Sequence, residues 1–122
     1  MINRDFILRQ IHQLAQVLAQ VLFNKRLDQQ TEESREMISM ALKDTLGNDL
    51  DGLLLVDQES VMEACGRQEG FNSQLAVSVA DLMKEEGSEA ALRSAYWLYE
   101  AALTRGATLP LQALEWIGDQ AS

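Results

Sequence analysis

The chain has 122 residues, of which 47% are hydrophobic and 24% are charged, and its formal net charge is −9 at pH 7. These values are typical of one folded domain with a modest core, here residues 1–122, and they exclude a disordered tail or a fibre. An acidic surface repels phosphate backbones, so we do not expect the chain to bind nucleic acid.

The first predicted helix runs from about Arg4 to Asn24 and is apolar around most of its circumference. At about 100° per residue, one row of apolar side chains spaced by four and three falls on a single arc, and a second row lies beside it. This pattern predicts burial on two sides, either at the centre of the fold or against a second copy. We expect a homodimer, with its interface on the first row: Ile7, Ile11, Leu14, Leu18 and Val21.

A second helix is predicted from Asp28 or Thr31 to Leu46, where Gly47 ends it. Its predicted inward residues are Ile38, Ala41, Leu42 and Leu46, with Met37 alongside. Turn-forming residues then lead into a short predicted helix over residues 58–65.

Two more helices are predicted over residues 73–86, capped by Asn72 or Ser73, and 88–105. The first of them carries an inward apolar face: Leu75, Ala76, Val79, Leu82 and Met83. A turn at Gly87 joins them, which makes them antiparallel neighbours. A final helix starts near Pro110, and its spacing predicts three residues facing inward, namely Leu111, Leu114 and Ile117. No stretch shows the alternation of a strand, so the sequence predicts an all-α, antiparallel array of five to six helices.

The pair of helices over residues 73–105 resembles a tetratricopeptide unit. Ala95, Tyr99 and Ala102 reproduce the small, aromatic, small spacing of the second helix of that repeat, and Leu82 matches the leucine of its first helix. Met83 departs from the repeat, because Gly or Ala is usual at its position. The resemblance implies a tetratricopeptide-like second half.

The whole chain resembles a group of small bacterial proteins that share a domain of unknown function with tetratricopeptide-like helices. The residues that carry this resemblance are the run from Arg4 to Arg9, the pair Lys25 and Arg26, and Gly47 after Leu46. The resemblance implies a fold rather than an activity.

Few residues offer catalytic chemistry. His12 is the only histidine and Cys65 the only cysteine, so a site with two histidine ligands from one chain is excluded. We expect both side chains to be solvated or packed, and we predict no cofactor. Four carboxylates around Gly87 form the alternative, a site for a hard cation: Asp81, Glu85, Glu86 and Glu89.

Aromatic side chains gather in the helix predicted over residues 88–105, at Tyr96, Trp97 and Tyr99. They cannot all enter one core, because Trp97 points about 100° away from its neighbour. We expect them to pack between helices, and the alternative is that they line a ligand groove.

These observations favour a non-enzymatic interaction module that binds an unidentified protein partner and self-associates. The alternatives are a metal-dependent enzyme built on the acidic cluster and a protein that binds a small apolar ligand. We expect a cytoplasmic protein, because one cysteine gives no intrachain disulfide, residues 1–24 lack the pattern of a secretory signal, and no apolar run is long enough to span a membrane.

Overall fold

The computed structural model describes residues 4–26, 31–46 and 72–121, and the side chains of residues 7–25, 32–44 and 72–120. Within these ranges the chain forms helices and no strand, which confirms the predicted all-α fold. The short helix predicted over residues 58–65 lies outside them. The described helices are α1 (Arg4–Arg26), α2 (Thr31–Leu46), α3 (Ser73–Glu86), α4 (Glu89–Thr104) and α5 (Leu111–Ala121).

The ends of α3 and α4 are fixed by local hydrogen bonds. Asn72, rather than Ser73, caps α3, since its side chain accepts a hydrogen bond from the amide of Leu75 at 2.9 Å. Gly87 ends α3 in the left-handed conformation, with φ of 83°, which a residue without Cβ adopts at little cost. Ser88 caps α4 by accepting from the amide of Ala91. The turn between the two helices is therefore as short as predicted.

The centre of the described fold is α3. It contacts α1, α2 and α4, and its contact with α4 is the most extensive between any two described helices. The five residues predicted to face inward from α3 are all buried: Leu75, Ala76, Val79, Leu82 and Met83. Ile38, Ala41 and Leu42 of α2 join them in one continuous core, as predicted.

The described residues do not bury α1 on the two sides that the sequence predicts. One side of α1 packs on α2 and α3, but Leu8, Leu22 and Phe23 are 49%, 41% and 54% exposed. The physical reason is that α3 takes the central position, because it can bury apolar residues against three neighbours. Among the described residues α1 therefore lies at the edge of the core rather than at its centre, and pairing with a second copy stays a prediction.

The predicted inward face of α5 needs a correction as well. Leu111 and Leu114 are 70% and 41% exposed, whereas Ala113 is buried and Trp116 and Ile117 pack against the core. The Trp116 ring meets the Tyr99 ring edge-on, with 5.7 Å between the ring centroids. This contact between two large aromatic side chains sets the rotation of α5 and turns both leucines outward.

Candidate functional site

An exposed apolar face runs along α1 on the side away from the core. We call it the outer α1 face and define it as Leu8, Ala15, Ala19, Leu22 and Phe23. All five side chains are exposed and fall within about 100° of arc on the helix. Exposed His12, whose ring contacts the Gln16 amide, falls on the same arc. Apart from this one polar residue the strip is apolar, which differs from the isolated exposed leucines that are ordinary on protein surfaces.

The five residues of the predicted dimer interface differ in how deeply they are buried within the chain. Leu14 and Val21 are fully buried inside the chain, so they cannot face a second copy, and this part of the prediction is corrected. Ile7, Ile11 and Leu18 are partly buried, at the edge between the core and the outer α1 face. Leu8, Ala15, Ala19 and Leu22 form the second apolar row of the sequence, and Phe23 lies at the margin of the polar strip. Periodicity alone could not tell which row faces the core.

Two ion pairs attach α1 and α2 to the carboxyl end of α3. The Lys25 ammonium lies 2.7 Å from a carboxylate oxygen of Glu85 and 2.8 Å from its backbone carbonyl oxygen. The Arg35 guanidinium lies 2.7 Å from Glu86, whose side chain is almost fully buried. A cation at the carboxyl end of a helix also meets the negative end of its dipole. The carboxylates of Glu85 and Glu86 therefore hold α1 and α2 against α3.

The four carboxylates predicted as the alternative metal site do not converge. Asp81 accepts a hydrogen bond from the Tyr99 hydroxyl, while Glu85 and Glu86 point toward Lys25 and Arg35. Glu89 is exposed on the first turn of α4. Among the residues that the structure describes, no three His, Cys, Asp or Glu side chains are grouped so that they could hold a metal ion. The geometry gives no support to the cation site.

Burial and hydrogen bonding shift the pKa values of two of these carboxyls in opposite directions. Burial raises the pKa of Asp81 above its ordinary 3.8, and the hydrogen bond from Tyr99 offsets only part of that effect. Burial also raises the pKa of Glu86, but hydrogen bonds from Ser88 and Arg35 outweigh it and lower the pKa below the ordinary 4.5. Ionisation of Asp81 therefore lowers the free energy of unfolding, whereas ionisation of Glu86 raises it.

We expect Asp81→Asn and Glu86→Gln to change the free energy of unfolding in opposite directions at pH 7, each by about 1 kcal/mol. The Glu86 carboxylate stabilises the fold above its unfolded pKa, and this stability is lost as the pH falls through its lower folded pKa. Asp81 favours the fold below its unfolded pKa and loses that contribution as the pH rises through its higher folded pKa.

Urea unfolding of both variants and the unsubstituted chain, at pH 7 and near pH 3.5, measures these differences. Glu86→Gln should be less stable and Asp81→Asn more stable at pH 7, and both differences should shrink in acid. Shifts of the same sign, or shifts that do not change with pH, would contradict the assignment.

The three aromatic residues of α4 do not line a common groove. Tyr99 is buried against Trp116, as expected of a packing residue, and burial strongly raises the pKa of its hydroxyl. Tyr96 instead donates a hydrogen bond to Glu100 at 2.9 Å. The guanidinium of Arg93 lies 5.7 Å from the centre of the Trp97 ring. The three residues thus make three separate contacts, and among the described residues they do not form the groove that was the alternative to packing.

A cleft of about 610 Å³ is lined by residues of α1, α2 and the end of α3. Its lining carries three cations and three carboxylates, so its charge is balanced: Lys25, Arg35, Lys84, Glu32, Glu85 and Glu86. The Ser34 hydroxyl beside it is buried and has no hydrogen-bond partner in the described structure. Since Lys25 and Arg35 already bind carboxylates, this cleft does not favour an anionic ligand.

Comparison with known proteins identifies a family but no activity. A family model described as "Family of unknown function (DUF6483)" matches residues 1–94, a range that includes α1 to α3 and the start of α4. No curated protein and no solved structure matches the chain. Of the helices described, none combines the length and the apolar character needed to cross a membrane.

Proposed function

The chain belongs to this family of unknown function, DUF6483, and we propose that it is a non-enzymatic protein-interaction module that self-associates through the outer α1 face. The observation that carries the proposal is the exposure of Leu8, Leu22 and Phe23 on one side of a 23-residue helix. Burying each of these side chains in an interface contributes about 1 to 2 kcal/mol. Ala15 and Ala19 lie between them and allow a second helix to approach closely.

The fold proposed for this module is an antiparallel, tetratricopeptide-like array. Its support is the α3–α4 pair, in which the four residues that resemble the repeat are all buried: Leu82, Ala95, Tyr99 and Ala102. Small residues at such positions let two helices pack closely. Arrays of this kind present extended surfaces to protein partners, which fits an interaction module. A cytoplasmic setting is part of the proposal, because a single cysteine gives no intrachain disulfide.

We expect sedimentation equilibrium to show a dimer at tens of micromolar, and the double variant Leu8→Glu, Leu22→Glu to weaken it by about 100-fold. Each glutamate would remove apolar area and place a charge in a desolvated interface. Both positions are exposed in the single chain, so thermal unfolding of the dilute protein should change little.

The matched control is Gln13→Glu, Gln20→Glu, which adds the same charge on the polar side of α1. This variant should associate as the unsubstituted chain does. A monomeric unsubstituted chain at tens of micromolar would overturn the proposal. So would equal weakening by the two double variants, because the effect would then come from net charge rather than from the outer α1 face.

A further inference from the structure

The one histidine of the sequence lies within the outer α1 face. Around the helix, His12 falls between Ala19 and Phe23, and along the helix it comes one turn after Leu8. Its side chain is exposed, and its ring nitrogen Nε2 lies 3.3 Å from the side-chain amide nitrogen of Gln16. A contact that covers the outer α1 face therefore covers His12 as well.

The described surroundings of His12 offer no carboxylate to balance a positive charge. From Ile7 to Lys25 the sequence of α1 contains no aspartate or glutamate, and Arg9, exposed three residues before His12, adds a charge of the same sign. Two helices, α2 and α3, pack against α1. The structure gives His12 no ion pair with their described charged side chains: Glu32, Glu33, Arg35, Glu36, Lys43, Asp44, Asp81, Lys84, Glu85 and Glu86.

Pairing of two outer α1 faces brings two such histidines into one interface, because the same patch is used on both copies. A neutral imidazole can be buried beside apolar side chains, whereas a charged one without a partner loses hydration that nothing replaces. Histidine gains its charge between about pH 8 and pH 5. Acid therefore opposes this contact, whichever way the second copy is turned.

We propose that His12 is a pH-sensitive switch in the outer α1 face: the neutral ring permits self-association, and the protonated ring releases the two copies. This inference rests on the proposed self-association and names how it is regulated. The overall charge of the chain acts in the opposite sense. Because the formal net charge is −9 at pH 7, acid lowers the repulsion between two copies. Dissociation in acid therefore distinguishes His12 from an effect of net charge.

Sedimentation equilibrium at about pH 8 and about pH 5.5 tests the switch, with circular dichroism to compare the helical content. The dissociation constant of the unsubstituted dimer should rise by about 100-fold in acid. This is about tenfold for each of two histidines, because the lower pH is about one unit below the midpoint of an ordinary histidine. His12→Gln should stay dimeric at both pH values. The matched control His12→Gln, Gln13→His keeps one histidine but moves it to the polar side of α1, and it should also lose the pH dependence.

A charge that needs no acid gives a second measurement. At about pH 8, His12→Lys should weaken association by more than about tenfold, since its ammonium would be buried without a partner. Gln13→Lys adds the same charge on the polar side and should associate as the unsubstituted chain does. If acid lowers the helical content, these two variants decide the question, and equal association of both would overturn the switch.

The unsubstituted chain separates failure of this inference from failure of the proposed function. A monomer at tens of micromolar and about pH 8 would overturn both proposals. A dimer whose dissociation constant is the same at the two pH values, or falls in acid, would overturn the His12 switch and leave self-association standing. A pH dependence that persists in His12→Gln would do the same.

Discussion

Met83→Ala should lower the free energy of unfolding by about 3 kcal/mol, whereas Met40→Ala should change it by less than about 0.5 kcal/mol. The two methionines carry the same side chain in opposite surroundings. Met83 is buried in α3, the helix that contacts three others, and Met40 is 66% exposed on α2. Truncating Met83 removes its apolar contacts and leaves a cavity, while truncating Met40 only alters solvated surface.

Urea unfolding of the two variants at the same low protein concentration gives the comparison, with circular dichroism to confirm their helical content. Neither methionine belongs to the outer α1 face, so association should not enter the difference. Similar losses in the two variants would show that α3 is not the centre of the core.

The elements whose orientation the sequence predicts correctly are those buried by close neighbours in the chain. In α3, the inward residues follow directly from the apolar spacing, and Gly87 marks the end of the helix. The turn is only two residues long, so α4 must pack against α3. Local signals and tertiary packing agree in this pair, and the prediction holds.

The outer helices are different, because periodicity shows that a face is apolar but not what covers it. In α1 two apolar rows lie side by side, and only the position of α3 decides that Leu14 rather than Leu8 faces the core. In α5 the leucine spacing predicts the wrong face, because the large indole of Trp116 finds Tyr99 across the core. Such contacts between distant residues cannot be derived from spacing.

The acidic residues near Gly87, which were the alternative metal site, show the same limit. The sequence identifies the acidic residues near Gly87 but not their partners, since Lys25 and Glu85 come together from separate helices, as do Arg35 and Glu86. Without those cations the carboxylates would resemble a cation site. The ion pairs make them contacts between helices, which is why the chemistry of the cluster could not be read from its composition.

Trp116→Ala should detach α5 from the rest of the fold. The main neighbour of α5 is α4, and the Trp116 ring supplies the edge-on contact with Tyr99 while lying 5.8 Å from the Lys84 ammonium. Truncating a packed tryptophan costs about 3 kcal/mol. We expect this loss to appear as local opening, with amide exchange in α5 accelerated by about 100-fold and exchange in α3 much less affected.

Trp97→Ala is the matched control, because the chain has two tryptophans and this one contacts Arg93 of its own helix. It should leave exchange in α5 unchanged. If α5 stayed as protected in Trp116→Ala as in the unsubstituted chain, the aromatic contact would not be what holds α5.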